Sequence, residues 1–229
     1  MLNSILVSMS EKIIHVYLMP GMAANPTIFE HIKLPENQFR IHLLEWMLPI
    51  KNESISDYAF RMTKNIEYEN IVLLGVSFGG VLVQEMSKHI HVKKLIIVSS
   101  VKSMHELPKH MLLAKKTKAY TLVPTQLASN IDLLAKYAFG GSIKKRMDLY
   151  KKYLSVSDSK YLSWAIKQIV CWNQDETLQD IVHIHGDNDV VFPIKNIANC
   201  ITIKNGTHIM IINKYKWFNE NLPRIILEN

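Results

Sequence analysis

One serine lies in a setting that could make it a nucleophile. Ser77 lies between Gly75 and Gly79, Gly80 follows, and the apolar run 71–74 precedes them. An amphipathic segment comes next, so the pattern predicts a buried strand, a very tight turn and a helix. The glycines have a steric reason, because a strand that reverses sharply into a helix crowds the backbone at the turn. The predicted helix points its N-terminal N–H groups at whatever the serine attacks.

A nucleophilic serine needs a base and a group that orients the base. In a parallel sheet, functional residues gather beyond the carboxyl ends of the strands. Two places meet this condition: the run H-G-D-N-D-V-V-F-P, which holds Asp187 and Asp189, and the run G-T-H, which ends at His208. These residues by themselves leave both aspartates open as the acid. They also leave open that Ser77 is a turn serine and that His208 is a packed surface histidine.

The elements that must position these residues alternate between strands and helices, which predicts a parallel sheet covered on both faces. The predicted strands are Lys12–Pro20, Phe39–Trp46, Ile71–Ser77, Lys94–Ser100, Ile181–His185 and Cys200–Lys204. The predicted core helices run from Ser54 to about Asn65, from Ser77 to about His91, and from about Lys214 to Leu222.

The stretch between the fourth and fifth strands has a helical period and contains no strand candidate. It is too long for a simple crossover. We therefore predict an α/β core of residues 1–100 and 176–229, with a helical insertion, 101–175, lying over the sheet.

The basic charge of the chain is concentrated in this insertion. The net charge is +7, and residues 101–170 hold 13 basic and 4 acidic side chains. Such a region could attract an anionic substrate, an acidic carrier protein or a lipid surface, or it could be a solvated lysine-rich surface. No nucleic-acid partner is predicted.

The bulk composition fits one domain with a full core, since 48% of the 229 residues are hydrophobic. The apolar runs are too short to span a bilayer, and residues 1–10 do not resemble a signal peptide, so we expect a cytoplasmic protein. Cys171 and Cys200 are expected to be unpaired, small core residues.

A metal site is the alternative suggested by the cluster of His183, His185 and Asp187. Alternate residues of a strand share one face, so the two histidines could act together. No second ligand cluster follows in the sequence, and we therefore predict strand histidines beside a loop, with no metal and no cofactor.

The motifs G-V-S-F-G-G, H-G-D-N-D-V-V-F-P and G-T-H resemble those of the α/β-hydrolase fold superfamily, in its order of serine, acid and histidine. The resemblance covers nearly the whole chain and implies a mostly parallel sheet of about six strands with a helical lid. It implies Ser77 as nucleophile, His208 as base and Asp189, rather than Asp187, as acid. Ser99 and Ser100 end the fourth strand, where some relatives carry their acid.

The same resemblance implies that the backbone N–H groups of Phe78 and Met22 form an oxyanion hole. The loop before Met22 often reads His-Gly in relatives but reads Pro20-Gly21 here. The larger members' N-terminal antiparallel hairpin is not evident in this sequence.

The function implied is that of a serine hydrolase of the carboxylesterase or thioesterase type, working through an acyl-enzyme. Its substrate would be a small acyl ester or thioester. The basic lid, including Lys144, Lys145 and Arg146, could dock an acidic carrier protein or coenzyme A. Because this fold also hosts lyases and non-catalytic ligand binders, both remain alternatives.

Overall fold

The sheet has six strands, all parallel, in a computed structural model that describes residues 13–122 and 152–228. The strands are β1 (Ile14–Met19), β2 (Phe39–Leu43), β3 (Ile71–Val76), β4 (Lys94–Val98), β5 (Ile181–Gly186) and β6 (Ile201–Ile203). Their order across the sheet is β2-β1-β3-β4-β5-β6, and each neighbouring pair is parallel. The prediction of a mostly parallel sheet of about six strands is confirmed.

Helices lie between these strands and after the last of them. They are α1 (Ile55–Thr63), α2 (Phe78–Ser87), α3 (Lys109–Thr117), α4 (Ser159–Cys171), α5 (Met210–Asn213) and α6 (Tyr215–Leu227). Short 3₁₀ helices lie at Pro26–Phe29, Met104–Glu106, Ala119–Leu122 and Ile194–Asn196. Ser54 caps α1, since its side chain accepts a hydrogen bond from the backbone N–H of Asp57.

Two hydrophobic clusters show that helices cover both faces of the sheet. Val72 and Leu74 of β3 belong to one cluster, together with residues of α4 and α6. Ile71 and Leu73, which alternate with them, belong to the other cluster with residues of α1 and α2. Because successive strand residues point to opposite faces, this division explains why β3 is apolar at every position.

Several boundaries differ from the sequence prediction. The strand predicted over 39–46 ends at Leu43, after which the chain leaves the sheet. The last helix does not stop at Leu222 but continues through Pro223 to Leu227. It continues because Ile225 and Ile226 are still buried against the core. The helix behind Ser77 ends at Ser87 rather than near His91.

The two cysteines are unpaired, but the prediction that they are core residues is wrong. Cys171 and Cys200 are only partly buried. Cys171 is the last residue of α4, and Cys200 lies just before β6.

The predicted insertion is described in part. Its helix α3 buries no residue, whereas α4 buries Tyr161, Leu162, Ala165, Ile169 and Val170. Lys144, Lys145 and Arg146 lie outside the described residues. None of the helices in the described ranges is long and apolar enough to cross a membrane.

Candidate active site

Ser77 lies at the junction of β3 and α2, in a strained backbone conformation. Its φ is 53° and its ψ is −122°, a combination that costs free energy for a residue with a side chain. The neighbouring contacts maintain it: the Ser77 N–H donates to the Val98 carbonyl at 2.9 Å. The Ser100 hydroxyl donates to the Ser77 carbonyl at 2.7 Å. The strain is therefore held by β4, which lies next to β3 in the sheet.

The glycines around Ser77 allow close backbone approach. A Cβ atom on Gly75 would lie 2.6 Å from the Gly80 nitrogen, and one on Gly79 would lie 2.6 Å from the Met19 carbonyl oxygen. A Cβ on Gly80 would lie 2.6 Å from the Ser100 Cβ. Any side chain at these positions would push the strand, the helix or the loop away from the turn.

His208 lies in the loop after β6 and brings its ring between Ser77 and Asp189. Its Nε2 is 2.9 Å from the Ser77 Oγ, and its Nδ1 is 2.9 Å from the Asp189 Oδ2. An ionised carboxylate can only accept, so Nδ1 carries the proton and, in the neutral ring, Nε2 is free to accept from the serine hydroxyl. The three side chains predicted from separate parts of the sequence thus form one hydrogen-bonded line.

Asp189 is buried, with only 4% of its surface exposed. Burial raises the pKa of its carboxyl, but the charge and hydrogen bond of His208 and the Phe192 N–H outweigh this, so the net pKa is lowered. The backbone N–H groups of Val191 and Phe192 donate to its Oδ1 at 2.8 and 2.9 Å. The loop therefore holds this carboxylate ionised and facing His208. The backbone N–H of Asp187, the other candidate acid, donates to the Ile203 carbonyl at 3.2 Å.

A second histidine lies behind Asp189. The Nε2 of His185 is 3.6 Å from the Asp189 Oδ2 and 2.8 Å from the Phe192 carbonyl oxygen. Because that carbonyl only accepts, Nε2 carries the proton, and Nδ1 accepts from the Nε2–H of His183 at 3.1 Å. Burial lowers the pKa of His185 and lowers that of His183 to about 3.

The hydrogen bond between His183 and His185 bears on the alternative that these histidines bind a metal ion. The His183 ring hydrogen-bonds to the His185 ring, and the His185 ring hydrogen-bonds to the Phe192 carbonyl. Within residues 13–122 and 152–228, no group of three or more histidines, cysteines or acidic residues is arranged to hold a metal ion.

The two predicted N–H donors lie next to Ser77. Phe78 is the first residue of α2, where backbone N–H groups have no partner within the helix. Met22 lies in the loop after β1 and lines a cavity together with Ser77, Phe78 and His208.

That cavity is small and mostly apolar, with a volume of about 110 Å³. Met111, Leu154 and Ile169 of the predicted insertion contribute to its lining. A second cavity of about 70 Å³ shares Ser77, His208 and Leu154 with the first. A larger open cleft of about 740 Å³ lies where β4 and β5 begin, at the end of the sheet opposite to the one that carries functional groups in parallel folds.

The loop after β1 is tied to the segment 152–156 of the predicted insertion. The Asn25 N–H donates to the Tyr153 carbonyl at 2.9 Å, and the Val156 N–H donates to the Ala23 carbonyl at 3.1 Å. The Asn25 side-chain amide donates to the Lys152 carbonyl at 2.8 Å. The segment 152–156 is thus fixed to the loop that carries Met22.

Solved structures share this architecture. A carboxylesterase of Nitrososphaera gargenis superposes with a TM-score of 0.69 at 15% identity, covering 94% of this chain and 90% of its own. An esterase of Exiguobacterium antarcticum gives 0.64 at 20% identity, over 93% and 92% of the two chains. A bromoperoxidase of Bacillus anthracis gives 0.69 at 18% identity, over 94% and 92%. This chain has the α/β-hydrolase fold.

These similarities are structural. No protein-family model matches the sequence, and no curated protein matches it either. The three solved structures named above are at most 20% identical to this chain. The α/β-hydrolase fold is nevertheless recognisable in the sequence from three short motifs.

Two side chains near Ser77 were missed as functional candidates. Ser100 was considered only as a position where other members of the α/β-hydrolase fold carry an acid, but its hydroxyl bonds the Ser77 carbonyl. Trp46 was assigned to the end of a strand, but its indole bonds the Gly21 carbonyl at 2.9 Å. Its distance of 25 residues from Gly21 leaves no local sequence signal for this contact.

Proposed function

We propose that this protein is a serine hydrolase that cleaves a small carboxylic ester or thioester. The observation that carries the proposal is the hydrogen-bonded line from the Ser77 hydroxyl through His208 to Asp189, next to an apolar cavity. Named esterases among the solved structures with this fold support the reaction class.

In the proposed mechanism, the Ser77 oxygen attacks the acyl carbonyl while His208 Nε2 takes the hydroxyl proton. Asp189 keeps the imidazole oriented and stabilises its positive charge. The N–H groups of Phe78 and Met22 bind the oxygen that becomes negative in the tetrahedral intermediate. When the intermediate collapses, His208 gives the proton to the leaving alcohol or thiol, and the acyl group stays on Ser77.

The second half of the reaction reverses these roles. A water molecule loses a proton to His208 as it attacks the acyl-enzyme carbonyl. The new tetrahedral intermediate then expels the Ser77 oxygen, which regains its proton from His208, and the carboxylic acid leaves.

We also propose that residues 101–175 form the lid of this site. The support is that Met111, Leu154 and Ile169 line the cavity next to Ser77. The apolar lining favours an apolar acyl group. A carrier protein or coenzyme A remains a proposal that rests on the basic charge of residues 101–170.

The nucleophile is tested with a fluorophosphonate probe, which forms a covalent adduct with an activated serine. We expect one adduct, located on Ser77 by mass spectrometry, and none in the Ser77→Ala variant. Ser163→Ala is the matched control, because the Ser163 hydroxyl donates to the Ser159 carbonyl of its own helix and lines neither cavity next to Ser77. Absence of an adduct on Ser77 in the wild-type protein would overturn the enzyme proposal.

The substrate class is tested with p-nitrophenyl esters and acyl-coenzyme A thioesters of increasing chain length. A preference for the thioesters, with a KM that rises with salt, would support the carrier or coenzyme A partner. Equal kinetics at low and high salt would remove that partner from the proposal while leaving ester hydrolysis in place.

A further inference from the structure

Trp46 contacts both parts of the proposed oxyanion hole. Its indole Nε1–H donates to the Gly21 carbonyl at 2.9 Å. Its ring also stacks on the Phe78 ring, with centroids 5.2 Å apart and an angle of 11° between the planes. One side chain therefore lies against the loop after β1 and against the first residue of α2.

The bond to Gly21 has a consequence for Met22, because the Gly21 C=O and the Met22 N–H belong to one peptide group. The described chain has no cis peptide bond, and in a trans peptide these two groups point in opposite directions. Holding the carbonyl on Trp46 therefore directs the Met22 N–H away from Trp46.

The Gly21–Met22 peptide lies close to Ser77. A Cβ atom on Gly21 would lie 3.3 Å from the Ser77 Cβ and 4.0 Å from the Ser77 Oγ. Met22 itself lines both cavities that Ser77 lines. The peptide that Trp46 orients is thus next to the attacking oxygen.

The Gly21 carbonyl accepts a second, longer hydrogen bond. The Ala24 N–H also donates to the Gly21 oxygen, at 3.1 Å, and Ala23 between them has a φ of 63°. Gly21 offers little resistance to rotation of its own peptide, since it has no side chain. The indole bond therefore adds a restraint from outside the loop to the one that Ala24 provides within it.

We propose that Trp46 is a positioning residue that keeps the Met22 N–H aimed at the oxyanion, an inference that rests on the proposed hydrolase function. Trp46 does not touch the reacting atoms; it acts through the Gly21–Met22 peptide. The stacking on Phe78 holds the indole in the place from which it donates.

The test compares two replacements that remove the indole N–H. Trp46→Phe keeps an aromatic ring, and β-(3-benzothienyl)alanine at position 46 keeps both fused rings with sulfur in place of the N–H. Trp164→Phe is the matched control. The Trp164 indole also donates to a backbone carbonyl, that of Glu53, at 2.8 Å, and its ring also packs against Phe78.

We expect both position-46 variants to lose about 10- to 100-fold in kcat with KM within about twofold, because loss of one oxyanion donor typically costs about 10²- to 10³-fold and the Ala24 bond remains. The control should lose less than about threefold. A trifluoromethyl ketone, which adds to serine as a tetrahedral oxyanion, should bind more weakly to both variants by the same factor as kcat/KM falls.

Two outcomes would overturn the inference. One is a benzothienylalanine protein with wild-type kcat, since the N–H would then have no role. The other is a loss of kcat without a matching loss of trifluoromethyl ketone affinity. If instead the wild-type protein neither labels at Ser77 nor hydrolyses any ester, the proposed hydrolase function itself fails. This result differs from the two outcomes that overturn the role of Trp46.

Discussion

Asp189 lies between two histidines that have different surroundings. His208 approaches it to 2.9 Å and places its other nitrogen 2.9 Å from the Ser77 hydroxyl, at the wall of a cavity. His185 lies 3.6 Å away and has its other nitrogen bonded to His183 inside the core. One imidazole therefore lies beside the cavity and the proposed nucleophile, whereas the other is enclosed. We expect the role of each ring to follow from the group that its second nitrogen contacts.

The strongest test of this difference is the substitution His208→Gln. We expect kcat to fall by about 10⁴-fold or more, because the proposed base is lost. The amide can still donate to Asp189, so the free energy of unfolding should change by less than about 1 kcal/mol. Steady-state kinetics and urea unfolding measure the two quantities.

The control for this variant is His105→Gln. His105 also pairs with an aspartate, as its Nε2 is 2.6 Å from the Asp175 carboxylate, but both side chains are mostly exposed. Its removal should leave kcat unchanged. Wild-type kcat in His208→Gln would contradict the assignment of His208 as the base.

For His185→Phe we expect a clear loss of stability and only a small loss of kcat, the opposite of His208→Gln. The Phe192 carbonyl and the His183 N–H lose their partner inside the core, so the free energy of unfolding should fall by about 1–3 kcal/mol. The kcat of the folded fraction should fall less than tenfold, since His208 keeps its contacts. His185→Gln, whose amide can donate to the carbonyl, should recover part of the stability. A loss of kcat as large as in His208→Gln would remove the distinction between the two histidines.

An effect that appears only as the pH changes is expected on replacing His183, whose removal should alter acid stability. Its pKa is lowered from 6.5 to about 3 in the folded protein, so between these values the unfolded chain binds a proton that the folded chain does not. Stability therefore falls as the pH drops through this window. From pH 8 to pH 5, the wild type should lose about 2 kcal/mol more than His183→Gln.

Urea unfolding at the two pH values measures this effect. His31→Asn is the control, because the His31 side chain is 53% exposed. The pH dependence of its stability should match that of the wild type. Identical pH dependence in the wild type and in His183→Gln would show that His183 is not kept neutral by the core.

Much of this architecture could be predicted from local sequence. The strand β3, and β4 after its first residue Lys94, are buried on both faces, so nearly continuous apolar runs identify them. The strand ends select Ser77, His208 and the two aspartates Asp187 and Asp189, because parallel strands end at one edge of the sheet. The choice of Asp189 over Asp187 rests on the resemblance to the α/β-hydrolase fold superfamily.

Contacts that depend on folding could not be predicted in this way. The chain leaves the sheet after Leu43, which takes Trp46 out of the predicted strand and brings it to Gly21. The last helix is predicted to end at Leu222, but burial of Ile225 and Ile226 continues it through Pro223. In both cases tertiary packing overrides the local signal.

Four hydrogen bonds between Asn25, Ala23 and the segment 152–156 connect one wall of the cavity, at Leu154, to the loop that carries Met22. The segment cannot swing outward without breaking those bonds or pulling the Met22 loop with it. In the enzyme that we propose, a substrate that displaces this segment would therefore also disturb the Met22 donor, unless those bonds broke.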